Sequence, residues 1–353
     1  MGSVELQKKV TDFTLKVTND EFGSLFEVAE KTCKLVQSII LQLKWKSTDN
    51  LITYLRSTIQ QVCGSEEHLV VTNACSVACN VILRLIKIIS IEDPTYLGST
   101  SEQFMSGLIK RQESKPSLSE SSDTTKSQSK KELKETFIDC LEEYTAELEN
   151  SCSNIASQSL DHIHHNEIIL TIGYSKTVSE FLKEASQTRK FQVLVSEAAP
   201  SYKGHQMARE LVDAGINTTL CADSNIFAVM SRVNKVLIGS RLILADGSIM
   251  SCAGALLVAQ AAQHFSVPVI CCGAFYKVTP KYLSSQDQNF STLLSPQQSL
   301  PLKHISSLQT FVANPAYDFV PASYLTLLIS SLGGHDPSYI FKLIFDLYPA
   351  IDN

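Results

Sequence analysis

Apolar residues in the first 150 positions recur every three or four residues, a spacing that predicts amphipathic helices. The clearest run spans 24–45, where Ser24 and Glu27 have the spacing of a helix-capping box. The runs 49–62 and 69–91 repeat the pattern. Because the apolar face of 69–91 is very broad, we expect this helix to lie at the centre of the helical region.

A polar, serine-rich segment interrupts this helical pattern at 112–131. It contains almost no side chain that can be buried, and Pro116 disfavours a helix, so we predict a disordered loop. The helical pattern resumes over 132–163 with a long apolar stripe. A helix of that length can connect two domains.

From residue 167 onward, short strand-like runs alternate with helical ones. Because the strand-like runs are continuously apolar, they predict parallel strands buried on both faces of a sheet. The predicted strands are 167–173, 191–197, 217–223, 235–240 and 266–272. The helices predicted between them are 175–189, 203–214, 224–234 and 253–265. A final helical pair is predicted at 321–331 and 337–348.

This change of period predicts an α/β protein with two domains. Residues 1–165 form the predicted α-helical domain, and the 112–131 loop lies inside it. Residues 166–353 form the predicted Rossmann-like domain, which is a doubly wound parallel sheet.

The charge and the apolar content of the sequence argue against nucleic-acid and membrane partners. The 353 residues carry 30 Lys and Arg against 36 Asp and Glu, a net charge of −6, so we expect no direct nucleic-acid binding. The apolar run 81–89 is short and interrupted by Arg84 and Lys87, so no membrane anchor is expected. The N-terminal residues show no secretory signal, and we therefore expect the ten cysteines to be reduced thiols of a cytosolic protein.

A doubly wound sheet binds ligands at the carboxyl ends of its strands. The predicted ends are 172–175, 197–203, 223–225 and 239–246. No glycine-rich dinucleotide-binding motif follows the first strand and the sequence has no P-loop motif, so no cofactor is expected. Glu197 and Asp223 are the acidic residues at these ends. Ser175 is either a helix N-cap or a phosphate-binding residue.

Histidines are the other candidates for chemistry. His162 and His165 are predicted to share a helix face, as in a metal site, whereas a structural or interface role is the alternative. No third ligand follows at suitable spacing, so no metal site is predicted. His205 has the chemistry of a base, but no serine or cysteine nucleophile motif accompanies it. No catalytic residue is predicted.

Three long segments carry a family resemblance. Residues 162–185, 224–249 and 316–343 resemble the alpha, beta and delta regulatory subunits of eukaryotic translation initiation factor 2B. The resemblance covers essentially all of 150–353 and is looser across the N-terminal helices. Within this family, the runs HIHHNE before the first strand and VMSRVNKVLIG favour the beta branch.

This family is in turn similar to sugar-phosphate isomerases, and that similarity implies a loss of chemistry. Gly173 stands where those enzymes carry a reactive cysteine, and Arg241 stands where they carry a catalytic aspartate. Ala199 replaces an arginine that faces phosphate, and Ser251-Cys252 replaces an Asn-Lys pair. Because proton transfer needs a placed acid and base, the resemblance implies a protein that is not an enzyme.

The resemblance implies a regulatory subunit of the guanine nucleotide exchange factor for initiation factor 2. The implied assembly is a decamer with two copies each of alpha, beta, gamma, delta and epsilon, in which beta pairs with delta. The implied substrate is initiation factor 2, whose phosphorylated alpha subunit the helical domains help to sense. The alternative is a residual sugar-phosphate isomerase or sugar-phosphate sensor.

A pairing surface needs an apolar patch with a polar rim. The segments expected to supply it are 162–175, 203–207 and 333–339. The candidate interface residues are Asn166, His205, Gly333, Gly334, Pro337 and Tyr339. The alternative for Asn166 and His205, that each satisfies local backbone groups, remains open.

Overall fold

The computed structural model describes residues 2–18, 21–43, 45, 47–63, 74–92, 123–282, 293–300 and 311–348. The N-terminal part of the described chain is helical, as predicted. Its helices are α1 (Gly2–Thr18), α2 (Leu25–Gln42), α3 (Thr48–Cys63), α4 (Ala74–Glu92), α5 (Asp123–Ala156) and α6 (Ser159–His162).

The predicted capping box begins helix α2. The Ser24 hydroxyl accepts a hydrogen bond from the Glu27 N–H at 3.2 Å. The Glu27 carboxylate accepts one from the Gly23 N–H, also at 3.2 Å. Two N–H groups at the start of the helix, where the helix itself offers no acceptors, are thereby satisfied.

Helix α4 lies at the centre of the helical layer, as its broad apolar face predicts, and it contacts α1, α2, α3 and α5. Its window 74–91 is long and apolar enough to cross a membrane, but 67 % of that window is buried inside the protein. Packing against neighbouring helices therefore accounts for its hydropathy. The Arg84 guanidinium donates to both Glu147 carboxylate oxygens at 3.1 Å and lies 4.8 Å from the centre of the Tyr144 ring.

The prediction of a disordered loop over 112–131 is wrong for its second half. Helix α5 already begins at Asp123, and 112–122 lie outside the described residues. Extending a helix costs little once it has formed, so polar residues can continue the well-packed helix that follows them.

The five predicted strands form the core of a seven-stranded sheet, which also contains β9 (Leu327–Ser330) and β10 (Gly333–His335). The strand order is β10-β9-β7-β4-β1-β2-β3. They are β1 (Ile168–Ile172), β2 (Gln192–Ser196), β3 (Asn217–Cys221), β4 (Lys235–Gly239) and β7 (Val269–Cys272). The helices between them are α7 (Lys176–Ser186), α8 (Lys203–Asp213), α9 (Ile226–Met230) and α10 (Ala255–His264). All neighbouring strands of this sheet are parallel except β9 and β10. The predicted doubly wound fold is confirmed.

The predicted helix at 321–331 is wrong. That segment holds a short 3-10 turn, Ala322–Tyr324, and then strand β9 (Leu327–Ser330), which pairs with β7 and with β10 (Gly333–His335). A short run that is apolar on both faces has no period that separates strand from helix. The second predicted helix is confirmed in its main part, as a 3-10 turn followed by α11 (Ile340–Leu347).

A second, antiparallel sheet escaped prediction altogether. Its strands are β5 (Leu242–Ile243), β6 (Ile249–Cys252) and β8 (Tyr317–Val320), in the order β5-β6-β8. These strands are two to four residues long, too short to show an alternating pattern.

The C-terminal helix is bonded to the rest of the chain at both layers. The Tyr348 hydroxyl donates to the Val278 carbonyl beyond β7. The Lys87 ammonium of α4 donates to the Phe345 carbonyl near the end of α11. The helical layer and the sheet layer are therefore connected through α11.

Replacing Arg84 by methionine tests how much the contact between α4 and α5 stabilises the fold. Its bonds to Glu147 and its contact with the Tyr144 ring lie at a side chain that is only 14 % exposed. We expect the free energy of unfolding of the full chain to fall by about 1–3 kcal/mol in urea titrations. The matched control is Lys34→Met, which breaks an exposed pair with Glu30. If both variants lowered the free energy of unfolding equally, the contact between α4 and α5 would not be the stabilising interaction that we infer.

Candidate functional site

A cavity of about 590 Å³ lies where the carboxyl ends of the parallel strands face the helical layer. Residues that follow β1, β2 and β4 form its floor. Residues 22–26 at the start of α2 and 148–152 on α5 cover it. The site is thus the edge where a doubly wound sheet is expected to bind a ligand.

The backbone turns sharply into the cavity at Gly173, directly after β1. Its φ angle is +63°, in the left-handed region that favours glycine. A Cβ atom there would lie 3.2 Å from the Cys252 Sγ and 3.5 Å from the Ala198 Cβ. Any side chain at position 173 would therefore be both strained and crowded.

Ser175 begins helix α7. Its hydroxyl accepts the Val178 N–H at 3.5 Å, which confirms the N-cap interpretation. A Cβ atom on Gly239 would lie 2.3 Å from this hydroxyl, so the end of β4 and the start of α7 pack too closely for any other residue. Helix α7 is therefore held against the central strand at the floor of the cavity.

The Asp223 carboxylate shapes the loop that follows β2. It accepts the N–H groups of Ala198 at 3.0 Å and Ala199 at 2.7 Å, and it also accepts the Ser196 hydroxyl. Ala198 adopts a left-handed φ of 55° in this loop. These three bonds make Asp223 a structural residue, although its place at a strand end also fits a catalytic acid.

Arg241 and Lys277 bring positive charge to the cavity. The Arg241 guanidinium lies 4.7 Å from the centre of the Tyr317 ring. The buried Lys277 ammonium donates to the Ser240 carbonyl at 2.9 Å. Burial lowers the pKa of Lys277 to about 8. Sequence reasoning missed Lys277, because only its position just after a buried strand distinguishes it from other lysines.

The cavity is electropositive. Its described lining includes four basic side chains and one carboxylate, that of Glu149. The basic residues are Lys176, Lys203, Arg241 and Lys277. Burial raises the pKa of the Cys252 thiol to about 11, so this cysteine is a neutral thiol at physiological pH. The described lining therefore has an excess of positive charge, which can attract an anion.

The three histidines at positions 162, 164 and 165 do not form one site in the structure. Helix α6 ends at His162, so the prediction that His162 and His165 share a helix face is wrong. The chain leaves the helix there because Glu167 accepts the His164 N–H at 2.9 Å and Asn166 has a left-handed φ of 60°. His165 Nδ1 instead accepts the Lys190 N–H at 3.2 Å. In the described part of the chain no three His, Cys, Asp or Glu side chains form a metal-binding group.

Asn166 and His205 are both exposed but lie at opposite edges of the sheet. Asn166 precedes β1, and its N–H donates to the Lys190 carbonyl at 2.8 Å. His205 follows β2, with its Nε2 3.7 Å from a Glu197 carboxylate oxygen. Because β1 and β2 are parallel strands of five residues, roughly 15 Å of strand separates the two edges. A single copy of the chain therefore does not bring the two residues together.

The segment 333–339 forms an edge of the main sheet. Gly333 adopts φ 127° and Gly334 pairs with Ile329 in the edge strand β10. Tyr339 is exposed and stacks on His335 at 5.3 Å.

Pro337 is buried, and a Cβ atom on Gly247 would lie 2.2 Å from its carbonyl oxygen. Among the interface candidates, Pro337 is therefore the one whose side chain is buried within its own chain. It supports the turn from within, because the close approach of Gly247 leaves it no exposed face.

Sequence reasoning also missed an apolar surface beside this edge, which we call the α11 face. It consists of Leu332, Tyr339, Phe341 and Phe345, exposed by 63 %, 39 %, 50 % and 65 %. Phe341 and Phe345 contact each other edge to face, with ring centres 5.0 Å apart. Large apolar side chains clustered on a surface mark an interaction site more often than chance exposure does.

Comparison with known proteins places this architecture in a family. The family model described as "Initiation factor 2 subunit family" matches residues 26–337. An eIF2B subunit beta from Dictyostelium discoideum is 42 % identical over 221 residues, which span 62 % of this chain and only 57 % of that protein. An eIF2B subunit beta from Schizosaccharomyces pombe is 32 % identical in an alignment 370 residues long, which covers 93 % of this chain and 92 % of that protein.

Solved structures share the fold. The crystal structure of eIF2B beta from Chaetomium thermophilum has a TM-score of 0.74 at 21 % identity, covering 99 % of this chain and 94 % of that one. A chain of the tetrameric eIF2B-beta2-delta2 complex from C. thermophilum has a TM-score of 0.70 at 21 % identity, covering 97 % and 95 %.

The similarity to isomerases is also found. A ribose 1,5-bisphosphate isomerase from Archaeoglobus fulgidus is 25 % identical over 222 residues, or 62 % of this chain and 69 % of that protein. The family match spans most of the chain, and the beta subunit from S. pombe aligns along nearly its whole length. The chain therefore belongs to the initiation factor 2 subunit family.

Proposed function

We propose that this chain is a non-catalytic, beta-type regulatory subunit of translation initiation factor 2B. The observation that carries the proposal is the 32 % identity to a beta subunit along more than nine tenths of both chains. The described lining of the cavity holds four basic side chains and one carboxylate, and the proposal treats it as non-catalytic.

The finer role follows from the resemblance. The chain pairs with a delta subunit, and the assembly is a decamer with two copies each of alpha, beta, gamma, delta and epsilon. That assembly exchanges guanine nucleotide on initiation factor 2 in the cytosol, and the helical layer helps to sense the phosphorylated alpha subunit of that factor. This chain is structurally similar to a chain of the tetrameric eIF2B-beta2-delta2 complex, and that similarity supports the pairing with a delta subunit.

The α11 face is the surface we assign to the delta subunit. It adjoins the segment 333–339, which the sequence already indicates as an interface. Leu332 directly precedes the edge strand β10, and Tyr339 stacks on His335 of that strand. The outer backbone groups of β10 have no strand partner in the described sheet. An apolar core beside a polar edge is the composition expected of a stable subunit interface.

A sugar-phosphate isomerase is the second candidate, and the similarity to ribose 1,5-bisphosphate isomerase favours it. The geometry at residue 173 argues against it. A cysteine placed there would adopt a left-handed φ and press on Cys252, so recovering the nucleophile would destabilise the fold.

The composition of the native complex tests the proposal most directly. Native mass spectrometry of the tagged full chain, purified from its own cells, is expected to show a complex with two copies of this chain and at least a delta-like subunit. The decamer is the expected complete form. A lone monomer or a homodimer would contradict the regulatory role and would make turnover of ribose 1,5-bisphosphate the next assay.

Charged substitutions on the α11 face test the assigned surface. We expect Phe341→Asp combined with Phe345→Asp to reduce co-purification of the delta subunit by about tenfold or more, because a buried unpaired charge costs well over 1.4 kcal/mol. The matched control is Leu15→Asp on α1, which is 57 % exposed. Unchanged delta recovery in the Phe341/Phe345 double variant would exclude this surface, provided that its circular dichroism matches that of the wild type.

Paired glycine substitutions test why position 173 excludes a side chain. Gly215 has a φ of 80° with no atom within 4 Å of a built Cβ, whereas Gly173 has a similar φ and a crowded surrounding. We expect Gly215→Ala to lower the free energy of unfolding by about 1 kcal/mol and Gly173→Ala to lower it further. The readout is urea denaturation of the full chain. Equal losses would mean that crowding by Cys252 and Ala198 is negligible.

A further inference from the structure

Lys277 occupies an unusual place for a lysine. It lies in the 3-10 turn Phe275–Lys277 directly after β7, and only 8 % of the residue is exposed. Lys277 is one of the residues that line the cavity, and its Nζ donates to the Ser240 carbonyl at 2.9 Å. Among the described residues, no carboxylate lies within ion-pair distance of this amine. Burial without a counter-charge disfavours the ammonium form.

The titratable groups whose charge would act on the amine do not restore a negative charge. They are Arg241 beyond β4, Cys271 and Cys272 on β7, and Cys152 on α5. Burial raises the pKa of all three thiols, to about 12 for Cys271, so they stay neutral. Arg241 is a cation and adds to the effect of burial, and together they hold the pKa of Lys277 at about 8. A substantial fraction of the amine is therefore uncharged near neutral pH.

The surrounding cavity suits a small anion. Its volume of about 590 Å³ is within the range of small-molecule sites. Lys176, Lys203 and Arg241 share the lining with Lys277, against the single carboxylate of Glu149. A desolvated amine beside another cation is the arrangement that activates lysine toward carbonyl groups.

We propose that Lys277 binds small anionic aldehydes in this cavity as a reversible imine. The neutral Nζ attacks the carbonyl carbon, and a C–N bond forms. The carbonyl oxygen then leaves as water with the two hydrogens of the amine, so the step needs no oxidant or reductant. Arg241, Lys176 and Lys203 attract the anionic group of the ligand. This inference stands apart from the regulatory role, since an adduct on Lys277 needs no partner subunit.

Pyridoxal 5′-phosphate is the probe, because it is an aldehyde that carries an anionic group. The full chain, with any subunits that co-purify, is incubated at pH 7.5 with less than one equivalent of probe and reduced with borohydride. Peptide mapping then locates the adduct. An amine whose pKa is lowered to about 8 has a much larger neutral fraction at this pH than an ordinary lysine. We expect labelling of Lys277 to exceed that of Lys176 and Lys203 by at least about tenfold.

Two variants and a second probe sharpen the test. Lys277→Arg keeps the charge and is expected to abolish the dominant adduct, whereas Lys176→Arg in the same cavity is expected to preserve it. Pyridoxal, which lacks the phosphate, is expected to label Lys277 at least about tenfold less. Labelling spread over exposed lysines with Lys277 unmodified would overturn the proposal, and this requires only the wild-type chain. Equal labelling of Lys277 by pyridoxal and by its phosphate would show that the anionic group of the ligand does not contribute to binding.

Discussion

Strands β1 and β4 run through the middle of the main sheet with most of their residues buried, so both faces of the sheet must be covered by other elements. Much of the architecture follows from that requirement. Helices α7 to α10 return between the strands and pack on the sheet. The long helix α5 and the central helix α4 cover the edge that these helices leave open, and the C-terminal helix connects the two layers through Lys87 and Tyr348.

Burial of the sheet also explains which parts of the fold could be predicted. A strand buried on both faces is continuously apolar and is flanked by helices of a different period, so β1, β2, β4 and β7 were predictable on that ground. The edge strand β3 is largely exposed, and its place between two helical runs indicated it instead. Strand β9 is equally apolar, but no helix with a clear period follows it directly, and it was predicted as a helix. Strands β5, β6 and β8 form because they pair with one another, and β8 comes from a distant part of the chain. Such short runs show no alternating sequence pattern from which a strand could be predicted.

The candidate site was predictable at the level of strand ends but not of individual roles. Ser175 was expected either to cap a helix or to bind phosphate, and the cap is observed. Asp223 has the residue type and position of an acid, yet its oxygens hold backbone amides. The role proposed for Lys277 depends on the lack of a carboxylate partner among the described residues, which is a property of the folded neighbourhood. No spacing along the sequence could reveal it.

The Asp223 carboxylate has a consequence for how this loop can change over evolution. It fixes the path of the chain after β2 through the N–H groups of Ala198 and Ala199, which every amino acid except proline possesses. The shape of the loop is therefore largely independent of the side chain at position 199. Such a loop can exchange an ion-binding side chain for a methyl group while its backbone keeps the same course. One carboxylate thus preserves the architecture of a binding site while the chemistry at its surface is free to vary.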